Sequence, residues 1–161
     1  MSTICKEGSG LGRKLTREEV TQMVSNYVNA VRENGFDVVS AVLFGSRARG
    51  VELVYSDVDL LLVLSNCSYG FVERIEALSK FWRHELSLEV FPYTKDEVMR
   101  LFKRGSITLY DSLEHGIIIY DDGFFSSLRR LFAELVGKGV IRRGPNGWWM
   151  FPEPDTIRIQ G

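Results

Sequence analysis

The sequence predicts an α+β fold, a two-layer α/β arrangement in which a mixed sheet is covered by helices. Three observations predict it. Segments with apolar residues at helical spacing alternate with short, β-branched runs. Two of those runs, DVVSAVLF at 37–44 and DVDLLLVL at 57–64, are almost continuously apolar, as strands buried on both faces are. Thr-x-x-Glu capping boxes precede two of the helical segments, at Thr16/Glu19 and Thr94/Glu97.

Taken in order, Thr16 opens a helix over 17–33. Its apolar positions are Val20, Met23, Val24, Tyr27, Val28 and Val31, and Asn34-Gly35 is its stop. A buried strand follows at 37–44 and ends at Gly45. Residues 46–50, SRARG, read as a short helical turn and 51–56 as a connector to the second strand at 57–64. FVERIEALSKFW (71–82) reads as a helix with Ile75, Leu78 and Trp82 on one stripe. LSLEVFPY (86–93) is a strand that ends at or soon after Pro92. Thr94 caps a helix to about Arg104, and Ser106 caps another through Glu114, stopped by Gly116. IIIY (117–120) is a strand, FFSSLRRLFAELV (124–136) a helix, and VIRRGPNGWWMF a hairpin about Gly-Pro-Asn-Gly.

The bulk composition is that of an ordinary globular chain. It has 161 residues, 45% hydrophobic and 25% charged, which fits one domain with a small appendage. A net charge of −1 gives no overall basic footprint for nucleic acid. Cys5 and Cys67 form no CxxC pair, and with two histidines they complete no zinc set. The expectation is a reducing, cytoplasmic compartment. No apolar run approaches the roughly 20 residues that span a bilayer. MSTICKEGSGLGRKL (1–15) lacks the apolar core of a secretory leader and reads as a flexible tail.

The informative stretch is LFGSRARGVELVYSDVDLLLVL, residues 43–64. Side chains alternate along a strand, so Asp57 and Asp59 share a face, with Cα atoms roughly 6.5–7 Å apart. Carboxylates so placed repel each other unless a cation lies between them, and Mg²⁺ takes one or two carboxylates together with phosphate oxygens. The alternative is a solvated pair in the turn before the strand. Gly45 permits a tight turn and close approach by a ligand. Ser46 adds a hydroxyl, Arg47 and Arg49 add positive charge, and a helix N-terminus there favours phosphate.

Gly45-Ser46, ten intervening residues, then Asp57-Val58-Asp59 before an apolar run resembles the signature of the DNA polymerase beta-like nucleotidyltransferase superfamily. GSRARG…SDVDLLL is most similar to its minimal nucleotidyltransferase branch. The likeness covers roughly 16–123, so the resemblance implies a nucleotidyltransferase domain there. Residues 124–161 then form a C-terminal helix and hairpin appendage. It also implies a third carboxylate on a neighbouring strand, at Glu89 in LSLEVFPYT, where many relatives carry Asp. Otherwise Glu89 is a polar residue of a half-exposed strand.

The activity implied is transfer of a nucleoside monophosphate, AMP first among them, from a nucleoside triphosphate to a hydroxyl. Two Mg²⁺ ions are implied, with Mn²⁺ as a substitute. Asp57, Asp59 and Glu89 are the implied metal ligands and catalytic residues; Gly45, Ser46, Arg47 and Arg49 are the implied nucleotide-binding residues. Small members of the branch often act as antitoxins paired with a helical HEPN toxin, which implies such a partner, met by an open sheet edge or the apolar stripe of the first helix. The competing reading is a protein of the same fold that neutralises a partner by contact, without catalysis. A polymerase would need DNA-binding appendages and a basic surface, and an antibiotic-modifying enzyme usually carries a larger acceptor domain.

His84 and His115 sit where histidines decorate helix ends, against a chemical role for either. Trp148 and Trp149 are adjacent and face opposite ways on a strand. With Arg142 and Arg143 they resemble a small nucleic-acid-binding wing, or they cover the domain edge or join two copies of the chain. A nucleic-acid partner is not expected, nor a membrane.

Overall fold

The structure, a computed structural model, describes residues 15–45 and 57–145, and the backbone alone at 147–150. Thr16 Oγ1 accepts from the Glu19 N–H at 3.0 Å while the Glu19 carboxylate accepts from the Thr16 N–H at 2.8 Å. This closed capping box satisfies two otherwise orphan donors and opens α1 (Arg17–Glu33). Val20, Val24, Tyr27, Val28 and Val31 are buried along one side of α1, where 3.6-residue periodicity places them.

A four-stranded sheet lies beneath. Its strands are β1 (Val38–Phe44), β2 (Val58–Leu64), β3 (Leu88–Thr94) and β4 (Ile117–Asp121), in the order β3-β2-β1-β4. β1 runs antiparallel to both β2 and β4, while β2 and β3 are parallel, so the sheet is mixed, as the alternating pattern implied. A parallel pair cannot be joined by a tight turn; the crossover between β2 and β3 carries α2 (Phe71–Ser79).

The helices divide between the two faces, adding a layer to the two-layer arrangement expected. Val58, Leu60, Leu62 and Leu64 of β2 join α1 and α2 in one core; Leu61 and Val63 join α3 (Lys95–Arg104), α4 (Ile107–His115) and α5 (Phe124–Gly137) in the other. The apolar run of β2 is therefore buried on both faces. Phe125, Leu128, Phe132 and Leu135 of α5 lie in the second core, and so does Ile141 at the start of β5 (Ile141–Gly144). β5 pairs antiparallel with β6 (Gly147–Met150), Gly144 facing Gly147, which is the expected hairpin.

Three expectations are corrected. First, the stripe of α1 is used up inside the core and is not a surface for a partner. Second, α2 ends at Ser79 and not at Trp82. The N–H groups of Phe81 and Trp82 turn back onto the carbonyls of Leu78 and Ser79. The turn brings Trp82 edge-on to Tyr27 at 5.6 Å and lets its indole N–H donate to the Leu86 carbonyl at 2.7 Å. Burying two rings and satisfying the indole favours the turn over further helix. Third, β3 begins two residues later than expected, at Leu88; it ends at Thr94, soon after Pro92 as expected. Proline is tolerated because β3 is an edge strand and needs no N–H on its open side.

Polar ties hold the joints between layers. Arg74, buried on α2, donates to Glu97 at 2.7 Å, the Pro92 carbonyl at 2.9 Å and the Tyr69 carbonyl at 3.0 Å. Glu97 also closes the capping box of α3 with Thr94. Asp121, at the end of β4, accepts from Ser40 Oγ of β1 at 2.7 Å and from Ser126 Oγ and the N–H groups of Phe125 and Ser126 at the start of α5. Burial alone would raise its pKa, but these donors outweigh burial and hold the carboxyl below its ordinary value.

A depressed folded pKa gives stability that is present above the unfolded value near 4 and lost as pH falls through the folded value. Asp121→Asn, which keeps the shape but removes the charge, should lower stability by about 2 kcal/mol at pH 7. Urea titrations should show that deficit shrinking toward pH 3; a deficit independent of pH would contradict the assignment.

Candidate active site

The carboxylates come together at one end of the sheet because of strand register. Phe44, the last residue of β1, pairs with Asp59 of β2, and Asp59 pairs in turn with Glu89 of β3. Across this end the order is Gly45 turn, Asp59, Glu89. Asp57 immediately precedes β2, so it lies beyond the strand it was expected to begin, and it is exposed, as is Glu89. Asp59 is half-buried on the strand. By alternation it shares the side of Leu61 and Val63, the side covered by α3, α4 and α5.

Burial, the negative charge of Glu89, that of Asp57 and a hydrogen bond with Glu89 together push the Asp59 carboxyl up to about 6. All four causes act in one direction: burial disfavours any charge, the two neighbouring carboxylates disfavour a further negative one, and the hydrogen bond with Glu89 favours the protonated form. The apolar surroundings are concrete: Phe44 meets Phe91 of β3 at 5.4 Å between ring centroids, just inboard of the acids.

Gly45 abuts this cluster. Its φ of +83° lies in the left-handed region that glycine enters without strain, and a Cβ there would collide with Oδ2 of Asp59. The Gly45 backbone and the Asp59 carboxylate are thus in direct apposition. Ser46, Arg47 and Arg49 lie outside the described residues. His84 is exposed beside the Trp82 ring at 4.6 Å, and His115 contacts Glu114 at 3.0 Å. Neither acts on Asp59. Arg143 also contacts Glu114, at 2.8 Å, while the side chains of Trp148 and Trp149 lie outside the described residues. The Phe44–Phe91 wall was not anticipated from sequence, although Phe91 stands two positions after Glu89 and must share its face.

Among the described residues no three side chains already converge at metal-ligand spacing. The donor chemistry nevertheless suits a hard divalent cation: the acids are all oxygen donors, and both burial and the neighbouring acids, which raise Asp59, are opposed by such a charge.

The family model of the nucleotidyltransferase domain matches residues 24–114, and the chain belongs to that family. The polymerase beta-like fold inferred from GSRARG…SDVDLLL is thereby borne out. A stretch of 44 residues is 46% identical to a protein of Methanocaldococcus jannaschii, "Putative protein adenylyltransferase MJ1305"; the match covers 27% of this chain and 30% of that protein. A solved structure of a "putative nucleotidyltransferase" from Sulfolobus solfataricus is similar over 66% of this chain and 84% of its own, at 20% identity and a TM-score of 0.49. Another, an MNT antitoxin complexed with a tri-AMPylated HEPN toxin from Shewanella oneidensis, is similar over 74% of this chain and 91% of the other, at 15% identity and a TM-score of 0.44. Among the described residues no helix is long and apolar enough to cross a membrane.

Two outcomes follow from this geometry. Gly45→Ala should cost about 1–2 kcal/mol through its backbone alone and should also displace the Asp59 carboxylate. Nucleotide-dependent activity should fall about 100-fold while the far-ultraviolet circular dichroism stays native; full activity would dissociate Gly45 from the acids. A carboxyl whose folded pKa is raised lowers stability as pH climbs from its unfolded value near 4 to about 6. Asp59→Asn should therefore be more stable than wild type at pH 7.5 without divalent ions. The gain should be about 1 kcal/mol after screening by solvent, and should vanish near pH 4. Equal or lower stability of the variant at pH 7.5 would show that burial and the neighbouring acids together do not disfavour the Asp59 charge.

Proposed function

We propose that this chain transfers AMP from ATP to a hydroxyl of a protein acceptor. The observation that carries the reading is the register of Asp59 beside Glu89 with the Gly45 backbone against Asp59. Pure contact binding gives no reason to hold acids together at such electrostatic cost. Membership of the nucleotidyltransferase family supports the reaction class, and the name of the M. jannaschii relative supports AMP and a protein acceptor. The likeness of GSRARG…SDVDLLL to minimal nucleotidyltransferases supports an antitoxin role beside a HEPN-type partner.

The acceptor oxygen forms a bond to the α-phosphorus, and the bond from that phosphorus to the oxygen bridging to the β-phosphate breaks. Pyrophosphate leaves with the bonding electrons. Asp57, Asp59 and Glu89 would hold Mg²⁺, which when bound supplies Lewis-acid polarisation of phosphoryl oxygens. Glu89, the more exposed partner of Asp59, takes the proton from the acceptor hydroxyl. The Gly45 backbone and Ser46 position the β- and γ-phosphates, and Arg47 and Arg49 balance their charge. Catalysis on this scheme is positioning and electrostatics on a rigid strand end.

The test is incorporation of label from α-labelled ATP with Mg²⁺ in lysate of the native host, comparing wild type with an Asp57→Asn/Asp59→Asn variant. A labelled protein band that disappears with the variant is expected, a loss of at least about 1000-fold. No incorporation from any of the four nucleotides by folded wild type would replace this reading with the contact-only antitoxin.

A further inference from the structure

We infer that Phe91 is an acceptor-positioning residue: its ring forms the apolar wall against which the acceptor side chain lies while its hydroxyl faces Glu89. The inference rests on the transfer reaction proposed above and adds the place and character of the acceptor subsite.

Three observations converge on Phe91. It stands two residues after Glu89 on β3, so both side chains project from the same face, with Phe91 one step further from the strand start. Phe91 packs against the core yet is only partly buried, in contrast to Phe44, whose ring centroid lies 5.4 Å away and which is nearly fully covered. An aromatic ring in contact with a second ring is held in place, while part of the residue stays accessible on the strand that carries Glu89. Third, the order of strands separates two sides of the site. The Gly45 turn, the phosphate side, follows β1; Glu89 and Phe91 lie on β3, across β2 from it and at the edge of the sheet. A substrate that reaches Glu89 from beyond β3 does not cross the Gly45 turn, and on β3 the apolar side chain next to Glu89 on that face is Phe91.

The class of acceptor follows. A flat, half-open ring next to the proton-accepting carboxylate suits a hydroxyl carried on an apolar or aromatic side chain of a protein. It offers no donor to a phosphate or a sugar hydroxyl. The role assigned is positioning, because Phe91 touches neither the phosphorus nor the proton.

The experiment compares wild type, Phe91→Ala, Phe91→Leu and Phe91→Tyr. Transfer from α-labelled ATP to proteins of the native-host lysate is read alongside ATP affinity by calorimetry with Mg²⁺. Phe91→Ala and Phe91→Leu should lose about tenfold in transfer while ATP affinity stays within about twofold; Phe91→Tyr should keep both. Phe91→Leu conserves most of the packed volume, so it decides the matter where Phe91→Ala unfolds. Parallel loss of ATP affinity in Phe91→Leu would place the ring on the nucleotide side and overturn the inference, as would unchanged transfer. Absence of labelling by the wild type itself would remove the transfer reaction and this subsite with it.

Discussion

Asp59 and Glu89 are held side by side by a parallel strand pair whose other residues are mostly apolar, and the rest of the structure is organised around that constraint. Two carboxylates in register, with a third close by, repel one another and resist burial. They stay together because they have no independent freedom to separate. Val58 and Leu60 to Leu64, the remaining six residues of β2, are fully buried or nearly so. Burial of six such side chains is worth on the order of 10 kcal/mol before conformational entropy is subtracted. The opposition among the acids is on the order of 1 kcal/mol. Sliding β2 by one residue to relieve it would move every buried side chain into the opposite core, where its neighbours are fitted to other residues, so the repulsion persists as a local cost at the end of a strongly specified strand.

The same logic explains where the polar ties lie. Arg74 and Glu97 fasten α2 and α3 to the far end of β3, and Asp121 fastens the end of β4 to β1 and the start of α5. Each satisfies buried or half-buried polar groups at a junction of layers, where apolar contact alone leaves direction unspecified. The carboxylates and the Gly45 turn are then presented from a strand end with fixed neighbours. Positioning chemistry needs that rigidity, because small misplacements of reacting groups are costly in rate.

The family was legible in sequence because its signature is short-range. Gly45-Ser46 and Asp57-Val58-Asp59 lie close together in sequence, and two of these residues have a local reason: positive φ at Gly45, and Asp59 on the strand that the apolar run marks. Helix starts were legible for the same reason, since Thr16/Glu19 and Thr94/Glu97 are contacts three residues apart. The end of α2 was not, because Trp82 leaves the helix to meet Tyr27, a residue more than fifty positions earlier in the chain. Nor could periodicity tell whether the stripe of α1 faces a partner or the sheet; an amphipathic helix reads the same in either setting.

By itself the sequence determined that the chain is a mixed α+β protein with one acid on a core strand, a second just before it, and a glycine turn earlier in the chain. Those are consequences of side-chain type, backbone freedom and residue spacing, all local quantities. Only the tertiary structure decided that Glu89 stands beside Asp59, that Gly45 touches the Asp59 carboxylate, and that Phe44 and Phe91 close together behind them. Those contacts join three strands through an antiparallel and a parallel register. Register is set by which buried surfaces fit across the whole sheet, a property that no single segment carries.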